Sequence, residues 1–269
     1  MFEILIQEMK LRNFSPKTRK VYLSYNFRFL EWIRKSPRDI SGEDIRQYLL
    51  YLISRQYSSS TINLAHNALA FYYGTILRKN ISAIPFQKRE QKVREIASPD
   101  EIRKMISTVA NPKHKILIGL LYASGIRRSE AIKIQLRDID CERKLLLVRQ
   151  GKGAKFRYTI LSEQILTQIK EYLQTRSTIS SYLFSTKEGH ITDRTVEAVI
   201  DNARQKANIP KNITPHSLRH SFATHLMAQG TNIEYIQQML GHKDIRTTKI
   251  YEHIVPAHLQ KIPNPHDKL

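Results

Sequence analysis

The sequence predicts a mainly α-helical protein with a small β-sheet (an α+β fold), divided into two domains. The chain has 269 residues, which is long enough for two domains that each bury a core. Helix-start signals followed by apolar residues at spacings of three and four recur along most of it. Two β-rich runs around a glycine-rich turn make the one interruption that we expect. We therefore predict a helical domain over residues 1–88, a linker over 89–97 and a second domain over 98–269.

The N-terminal domain is predicted to consist of four helices. The first is short and covers residues 4–11. Ser15 and Pro16 begin the second, with serine as the N-cap and proline in the first turn. Ser41 opens a third helix that runs to Leu52, and Ser60-Thr61 opens a fourth that runs to Leu77. This basic module contains no cluster of catalytic residue types.

The second domain is predicted to be helical around a single β-hairpin. The polar segment 85–97 has no apolar period and serves as the linker. Ser98 then begins a helix with a capping box, because Glu101 stands three residues later. The β-rich runs 145–149 and 156–160 flank the turn Gly151-Lys152-Gly153-Ala154-Lys155. Two such runs around a glycine-rich turn predict a hairpin.

The charge balance indicates a polyanionic partner. The chain carries 44 Lys and Arg against 24 Asp and Glu, a formal net charge of +20. Residues 1–88 contribute +8 and the remainder +12, so both predicted domains are basic. Nucleic acid is the usual polyanion that such a surface binds. A basic surface that only interacts with water is the simpler alternative.

Other compartments are disfavoured by the same sequence. The longest apolar stretch, residues 116–126, is far shorter than the ~20 residues that cross a membrane. The N-terminus lacks a basic segment followed by an apolar one, so no export signal is expected. Cys141 is the only cysteine, which rules out an intrachain disulfide and fits a reducing cytoplasm. We expect a cytoplasmic protein that does not bind membranes.

One predicted helix presents residues suited to binding a phosphate. Thr214 is its N-cap, Pro215 lies in its first turn, and the pattern ends at Gly230. At ~100° per residue, one face holds His216, Arg219, His220 and Ala223. The opposite, core-facing side holds Leu218, Phe222 and Leu226. Cationic groups at the first turns of a helix, where free N–H groups favour an anion, predict a phosphate site. A polar face on a surface helix is the alternative.

A zinc site is a second interpretation of the same helix. His216 and His220 have the i, i+4 spacing of a two-histidine metal face. However, Ser217 stands where the H-E-x-x-H motif has its glutamate, and no cysteine pair is nearby. The phosphate interpretation is the stronger one, and no metal or other cofactor is expected.

Five short motifs follow one another along the second domain: Gly125-Ile-Arg127-x-Ser-Glu130, Gly-Lys152-Gly, His216-x-x-Arg219-His220, Leu-Gly-His242 and Tyr251. With these motifs the chain resembles the tyrosine recombinases, also called phage-type integrases, and among them the compact Xer-like members. The 26 positions from His216 to His242 and the nine from there to Tyr251 agree with Xer-like spacing. Each motif alone is weak, whereas five in family order are specific. The helical N-terminal module is similar to the core-binding domain of the family, so the resemblance covers nearly the whole chain.

The resemblance implies a site-specific recombinase whose two domains clamp duplex DNA. Tyr251 would be the nucleophile and would form a 3′-phosphotyrosyl bond, without metal or ATP. Arg127 and Arg219 would bind nonbridging phosphate oxygens, because planar guanidinium groups match that geometry. Lys152 would protonate the departing 5′ oxygen, and His216 would handle the proton of the tyrosine. His242 would donate a hydrogen bond to the phosphate.

The resemblance also implies self-association, with four protomers acting on two duplexes. The tail 252–269 carries an apolar stripe, and in the family such a tail docks on a neighbouring protomer. The stripe consists of Ile254, Val255, Leu259 and Ile262. Chromosome dimer resolution and integration of a mobile element both remain open as the biological task.

Two rival functions use the same residues differently. A type IB topoisomerase shares the tyrosine and arginine chemistry but relaxes supercoils without exchanging partners. A non-catalytic regulator would use residues 232–252 as a helix-turn-helix, with Gly241 in the turn. Packing roles are the simplest alternatives, with Arg127 paired to Glu130 and Tyr251 as one of 13 tyrosines.

Overall fold

The computed structural model describes residues 2–81, 84–88, 95–149, 156–177, 179–241 and 262–269. The chain forms two compact units, Met1–Lys92 and Val93–Leu269. Helices dominate both units, and a small antiparallel sheet lies in the second, so the predicted fold class is confirmed. Among the described residues, no helix is both long enough and apolar enough to cross a membrane.

The first unit is a bundle of four helices. Their bounds are α1 Glu3–Leu11, α2 Pro16–Ile33, α3 Gly42–Ser54 and α4 Ser59–Leu69. A 3-10 turn covers Pro37–Asp39. Ser15 and Ser41 are N-caps as predicted, and their hydroxyl oxygens accept the N–H groups of Thr18 and Asp44. The core of this unit includes Leu5, Met9, Phe29, Ile45 and Tyr73, all fully buried.

The predicted fourth helix differs from the structure at both ends. Its N-cap is Ser58 rather than Ser60, because the Ser58 hydroxyl oxygen accepts the Thr61 N–H at 3.3 Å. The α-helix ends at Leu69, and Ala70–Ile76 continues as a π-helix. Both Tyr72 and Tyr73 are buried in this π-helix.

The second unit contains seven helices and five short strands among its described residues. The helices are α5 Pro99–Ser107, α6 Pro112–Ser124, α7 Arg128–Ala131, α8 Glu163–Thr175, α9 Asp193–Lys206, α10 Pro215–Ala228 and α11 Ile233–Leu240. The strands are β1 Ile139–Asp140, β2 Leu145–Arg149, β3 Phe156–Ile160, β4 Ser185–Thr186 and β5 Gly189–His190. Short 3-10 turns cover Leu136–Asp138 and Pro265–Lys268. Residues 116–124 of α6 are all buried, so the longest apolar stretch of the sequence is a core helix that packs against α8 and α10.

The capping box at α5 and the hairpin are confirmed, but the sequence pattern missed two β-elements. Strands β2 and β3 pair antiparallel, with Arg149 opposite Phe156. Strand β1 adds a third, edge strand to this sheet. Strands β4 and β5 form a separate two-stranded ribbon whose turn needs Gly189 at φ +132°. The prediction that the chain after residue 98 is helical outside one hairpin is therefore wrong. The sequence did not show the additional strands because strands of two residues are too short for a periodic pattern.

The ends of the second unit are tied to its own core. Ala97, within the predicted linker, is fully buried and donates its N–H to Ser221 Oγ at 2.9 Å. At the other end, Asn264 Nδ2 donates to the Ala123 carbonyl at 2.7 Å. His266 is buried against Ser162, with Nδ1 and Oγ 2.9 Å apart. Residues 262–269 thus pack on the core of their own unit, and residues 252–261 of the tail, which hold most of the predicted apolar stripe, lie outside the described part.

Candidate active site

A glycine turn between α6 and α7 positions Arg127. Helix α6 ends at Ser124, and Gly125 follows with φ +58°, a left-handed conformation that favours glycine. Packing also requires glycine, since an added Cβ would lie 2.8 Å from Cε1 of Phe222. The chain then reaches Arg127, whose backbone N–H donates to Glu130 Oε2 at 2.7 Å. The Gly-x-Arg-x-x-Glu motif therefore builds one compact turn.

The Arg127 side chain is paired but remains accessible. Its Nη1 donates to Glu130 Oε1 at 3.0 Å, and its Nη2 donates to the Gly241 carbonyl at 3.3 Å. The pairing with Glu130, which is the alternative structural role, is therefore present. Even so, 42% of the Arg127 side chain is exposed. An ion pair that orients a guanidinium while leaving it open to solvent is compatible with anion binding.

Arg219 is buried, although the helical pattern placed it on a polar face. It projects from α10, and only 3% of the residue is exposed. Its Nη1 donates to the Gly125 carbonyl at 2.7 Å and its Nη2 to the Leu240 carbonyl at 2.6 Å. The core-facing prediction for Leu218, Phe222 and Leu226 is confirmed, since all three are fully buried. The polar acceptors that permit burial of Arg219 come from other elements, which a helical wheel does not show.

Arg157 belongs to the same cluster, and the sequence motifs did not include it. It lies on β3 with 8% of its side chain exposed. Its Nη1 and Nη2 donate to the two oxygens of Glu130 at 2.8 and 2.6 Å, and its Nε donates to the Met239 carbonyl at 2.7 Å. In the structure Arg157 lies on the same side of the strand as the buried Thr159 and therefore faces inward. The sequence alternation favours the opposite assignment, with Phe156, Tyr158 and Ile160 as the inward residues.

The C-terminal end of α11 is where these arginines meet. The carbonyls of Met239, Leu240 and Gly241 accept hydrogen bonds from Arg157, Arg219 and Arg127, respectively. The last carbonyls of a helix lack partners within the helix and carry a partial negative charge, so they suit cationic donors. Gly241 follows α11 at φ +64° and ends the helix. The end of α11 thereby fixes the mutual positions of three guanidinium groups.

The cluster carries an excess of positive charge. Among the residues that the structure describes here, Glu130 is the one carboxylate that faces the three arginines. Burial raises the pKa of Glu130, but the hydrogen bonds and charge of Arg157, then Arg127, outweigh burial and hold that pKa below its usual range. Burial is also the main cause that lowers the pKa of Arg219 to about 10, with the charges of Arg127 and Arg157 adding to it. Arg219 is still protonated at neutral pH, so the site favours an incoming anion.

Two histidines lie together in the first turns of α10. Thr214 is the N-cap, and its hydroxyl oxygen accepts the Ser217 N–H at 3.1 Å. The Nε2 atoms of His216 and His220 are 3.0 Å apart, within hydrogen-bond distance. His216 is exposed and His220 is half-buried. In such a hydrogen bond one Nε2 accepts, so one of the two rings is neutral.

The other three predicted site residues, Lys152, His242 and Tyr251, lie outside the described residues. The described neighbours show where two of them attach. Residues 150–155 connect the paired strands β2 and β3, and His242 follows Gly241 directly. Within the described part of the chain, no group of three or more His, Cys, Asp or Glu side chains could hold a metal ion.

Comparisons with known proteins identify the family. Residues 95–258 match the phage integrase family, and residues 1–83 match the phage integrase N-terminal SAM-like domain. The chain therefore belongs to the phage integrase family, and within it to the Xer-like tyrosine recombinases. Its enzymatic class is accordingly that of a tyrosine-type site-specific DNA recombinase.

Relatives of this family align with the chain over most of their length. A putative integrase/recombinase of Sinorhizobium fredii, y4qK, is 33% identical over 98% of this chain and 87% of its own. The tyrosine recombinase XerA of Thermococcus kodakarensis is 32% identical over 94% of this chain and 90% of its own. A crystal structure of XerA recombinase superimposes with a TM-score of 0.54 at 30% identity, covering 95% of this chain and 93% of that one. The similarity therefore extends over both units of the chain.

Proposed function

We propose that this chain cuts and rejoins duplex DNA with Tyr251 as the nucleophile. The tyrosine oxygen attacks the scissile phosphorus, the phosphorus–5′ oxygen bond breaks, and a 3′-phosphotyrosyl bond forms. Because an ordinary tyrosine has a pKa of ~10, its hydroxyl needs cationic neighbours and a proton acceptor. His216 accepts that proton, and Lys152 supplies one to the departing 5′ oxygen.

The observation that carries this proposal is the arginine cluster at the end of α11. Arg127 and Arg219 are oriented by Glu130 and by backbone carbonyls, so they need little rearrangement when the phosphate arrives. Preorganised donors of this kind typically contribute about 2.7–4 kcal/mol each to transition-state stabilisation. We assign both guanidinium groups to the nonbridging oxygens, where negative charge develops, and His242 to a hydrogen bond with the same phosphate.

The second half of the reaction conserves the phosphodiester. The 5′-hydroxyl of a partner strand attacks the phosphotyrosyl phosphorus and gives its proton to Lys152, which lost one in the first step. The bond between phosphorus and the tyrosine oxygen breaks, and Tyr251 leaves with the proton returned by His216. One phosphodiester is lost and one is gained, so neither ATP nor a metal ion is needed to balance the step. We place four protomers on two duplexes and the reaction in the cytoplasm. In this proposal both predicted domains, 1–88 and 98–269, bind the DNA backbone and clamp the duplex.

The experiment uses two duplexes that carry the recombination site and different fluorescent labels. The wild-type chain should give a denaturant-resistant protein–DNA adduct and a joined duplex with both labels. Tyr251→Phe should bind the site with near-normal affinity and give neither product, because it lacks only the hydroxyl. Tyr172→Phe is a matched control on α8, where the ring is half-buried, and should keep both products.

The outcomes separate the rival functions. An adduct without the doubly labelled product would indicate a topoisomerase-like enzyme. Binding without any adduct from the wild-type chain would indicate a non-catalytic regulator. An adduct from Tyr251→Phe would show that another residue is the nucleophile.

A further inference from the structure

Arg157 occupies a position that suits the support of other residues rather than contact with DNA. Its side chain is 8% exposed, and each of its three nitrogens already donates a hydrogen bond to the protein. Two of these bonds form a parallel fork on the carboxylate of Glu130, a strong and directional geometry. The guanidinium therefore has little surface to offer a phosphate.

Its partners are the groups that hold the two phosphate-binding arginines. Glu130 also accepts hydrogen bonds from the backbone N–H and the Nη1 of Arg127. Met239, which accepts from Arg157, directly precedes Leu240, whose carbonyl accepts from Arg219. Arg157 is thus connected to Arg127 through the shared carboxylate of Glu130. Its acceptor, the Met239 carbonyl, is one peptide away from the acceptor of Arg219. It joins strand β3 to the ends of both α7 and α11.

We propose that Arg157 is a positioning residue for the recombination reaction, which keeps Glu130 as a fixed anionic anchor for Arg127 and holds the end of α11. The inference rests on the proposed function of the cluster. It assigns to Arg157 no contact with the substrate, so DNA affinity should change little when it is replaced. The rate of adduct formation should fall instead, because misplaced catalytic groups typically slow a reaction about a hundredfold.

The charge state of Glu130 gives this role a measurable signature. Burial raises the pKa of its carboxyl, and Arg157 leads the interactions that lower it. Without Arg157, the pKa of Glu130 rises. When pH falls through that raised pKa, Glu130 becomes neutral and no longer forms an ion pair with Arg127. The variant should therefore lose activity on the acid side at a pH where the wild-type enzyme keeps it.

Other charged groups around Glu130 are accounted for. Arg127 at the start of α7 and Arg219 on α10 face it and favour its ionised form. Glu130 also borders a cavity of about 340 Å³. The charged residues that share this cavity are Lys133, Asp138 and Arg149, and its other residues with titratable side chains are Tyr182 and His190. All of these residues are present in every variant of the comparison and so contribute equally to each.

The experiment measures single-turnover adduct formation between about pH 5 and 8 on a nicked recombination site, together with DNA affinity by fluorescence anisotropy. Arg157→Met should be about tenfold to a hundredfold slower than wild type at pH 8. It should slow further as pH falls, while its affinity stays within a few-fold. Arg157→Lys retains a charge but cannot form the fork, so its acid-side loss should be intermediate. Adding Glu130→Gln to Arg157→Met removes the titrating group, and the acid-side loss should disappear.

Arg204→Met is the matched control for a purely structural ion pair. Arg204 on α9 donates to Asp201 Oδ1 at 2.7 and 3.1 Å and to the Ile209 carbonyl at 3.2 Å. It thus resembles Arg157 in its partners but contacts none of the cluster. Its pH profile should run parallel to that of the wild type.

The results separate the inference from the function on which it rests. Parallel pH profiles for Arg157→Met, Arg157→Lys and wild type would overturn the positioning role, even if both variants were slower than wild type at every pH. If Arg157→Met does not fold by circular dichroism, the profile of Arg157→Lys decides. An inactive wild-type chain would overturn the proposed function, and the inference would fall with it. A large loss of DNA affinity in Arg157→Lys would instead make Arg157 a DNA-binding residue.

Discussion

Replacement of Gly125 by alanine should destabilise the second unit by a magnitude that the structure allows us to work out. At φ +58° an alanine adopts a left-handed conformation, which costs roughly 1–2 kcal/mol. The new Cβ would also lie 2.8 Å from Cε1 of Phe222 and 2.9 Å from Cδ2 of Leu240, both on fully or nearly fully buried residues. Overpacking of this kind costs about 1–3 kcal/mol. The free energy of unfolding should therefore fall by about 2–5 kcal/mol.

Gly230→Ala is a matched control for backbone strain alone. Gly230 has φ +83°, but an added Cβ there would meet nothing within 4 Å. Its loss should be limited to roughly 1–2 kcal/mol. The difference between the two variants, about 1–3 kcal/mol, isolates the clash with the core.

The assay must report on the second unit. The only tryptophan, Trp32, lies in the first unit, so unfolding of the second should be followed by far-ultraviolet circular dichroism in urea. The Trp32 fluorescence transition then serves as an internal control that should not move. Adduct formation should fall in Gly125→Ala, since the Gly125 carbonyl accepts from Arg219 and Leu240 must shift. Equal losses of stability for the two variants would refute the packing argument.

Three further predictions follow from the proposed chemistry. Lys152→Ala should cleave ordinary DNA very slowly but should be largely rescued when sulfur replaces the bridging 5′ oxygen, because a thiolate leaves without a proton donor. Arg127→Ala and Arg219→Ala should not be rescued to that degree. An equal defect of Lys152→Ala on both substrates would make the lysine a positioning residue. Adduct formation should survive excess EDTA, and a loss that zinc restores would favour the His216/His220 metal interpretation. Affinity should fall with salt by ~0.9 log units per log unit for each phosphate contact, with a shallower slope for a fragment from Val93 onward; equal slopes would mean that residues 1–88 do not bind the backbone.

Local signals in the sequence were sufficient for most helices and for the turn that positions Arg127. Cap residues such as Ser15, Ser41 and Ser98 act on backbone groups within three positions, so their effect is visible in the sequence itself. The same holds for the turn at Gly125, which carries Arg127. The motif order also pointed to Arg219 before any geometry was known.

Features that depend on distant partners were not predictable in the same way. Arg219 can be buried because the carbonyls of Gly125 and Leu240 accept hydrogen bonds from its guanidinium group, and both acceptors come from other elements. Arg157 has its partners 27 and 82 positions away in the chain. The period-2 alternation of its strand places Arg157 on the face opposite the apolar Phe156 and Tyr158, and only tertiary structure supplies the carboxylate that makes an inward arginine stable. The packing of residues 262–269 on their own unit is likewise a tertiary property.

The identity of the residue that becomes joined to DNA tests the central claim most directly. The adduct formed on a nicked recombination site should be digested with protease and nuclease, and the nucleotide-bearing peptide sequenced by mass spectrometry. The account predicts a single modified residue, Tyr251, linked to a 3′ phosphate. A phosphotyrosyl bond at another tyrosine, or a 5′ phosphate linkage, would contradict the assignment of the nucleophile and the chemistry built on it.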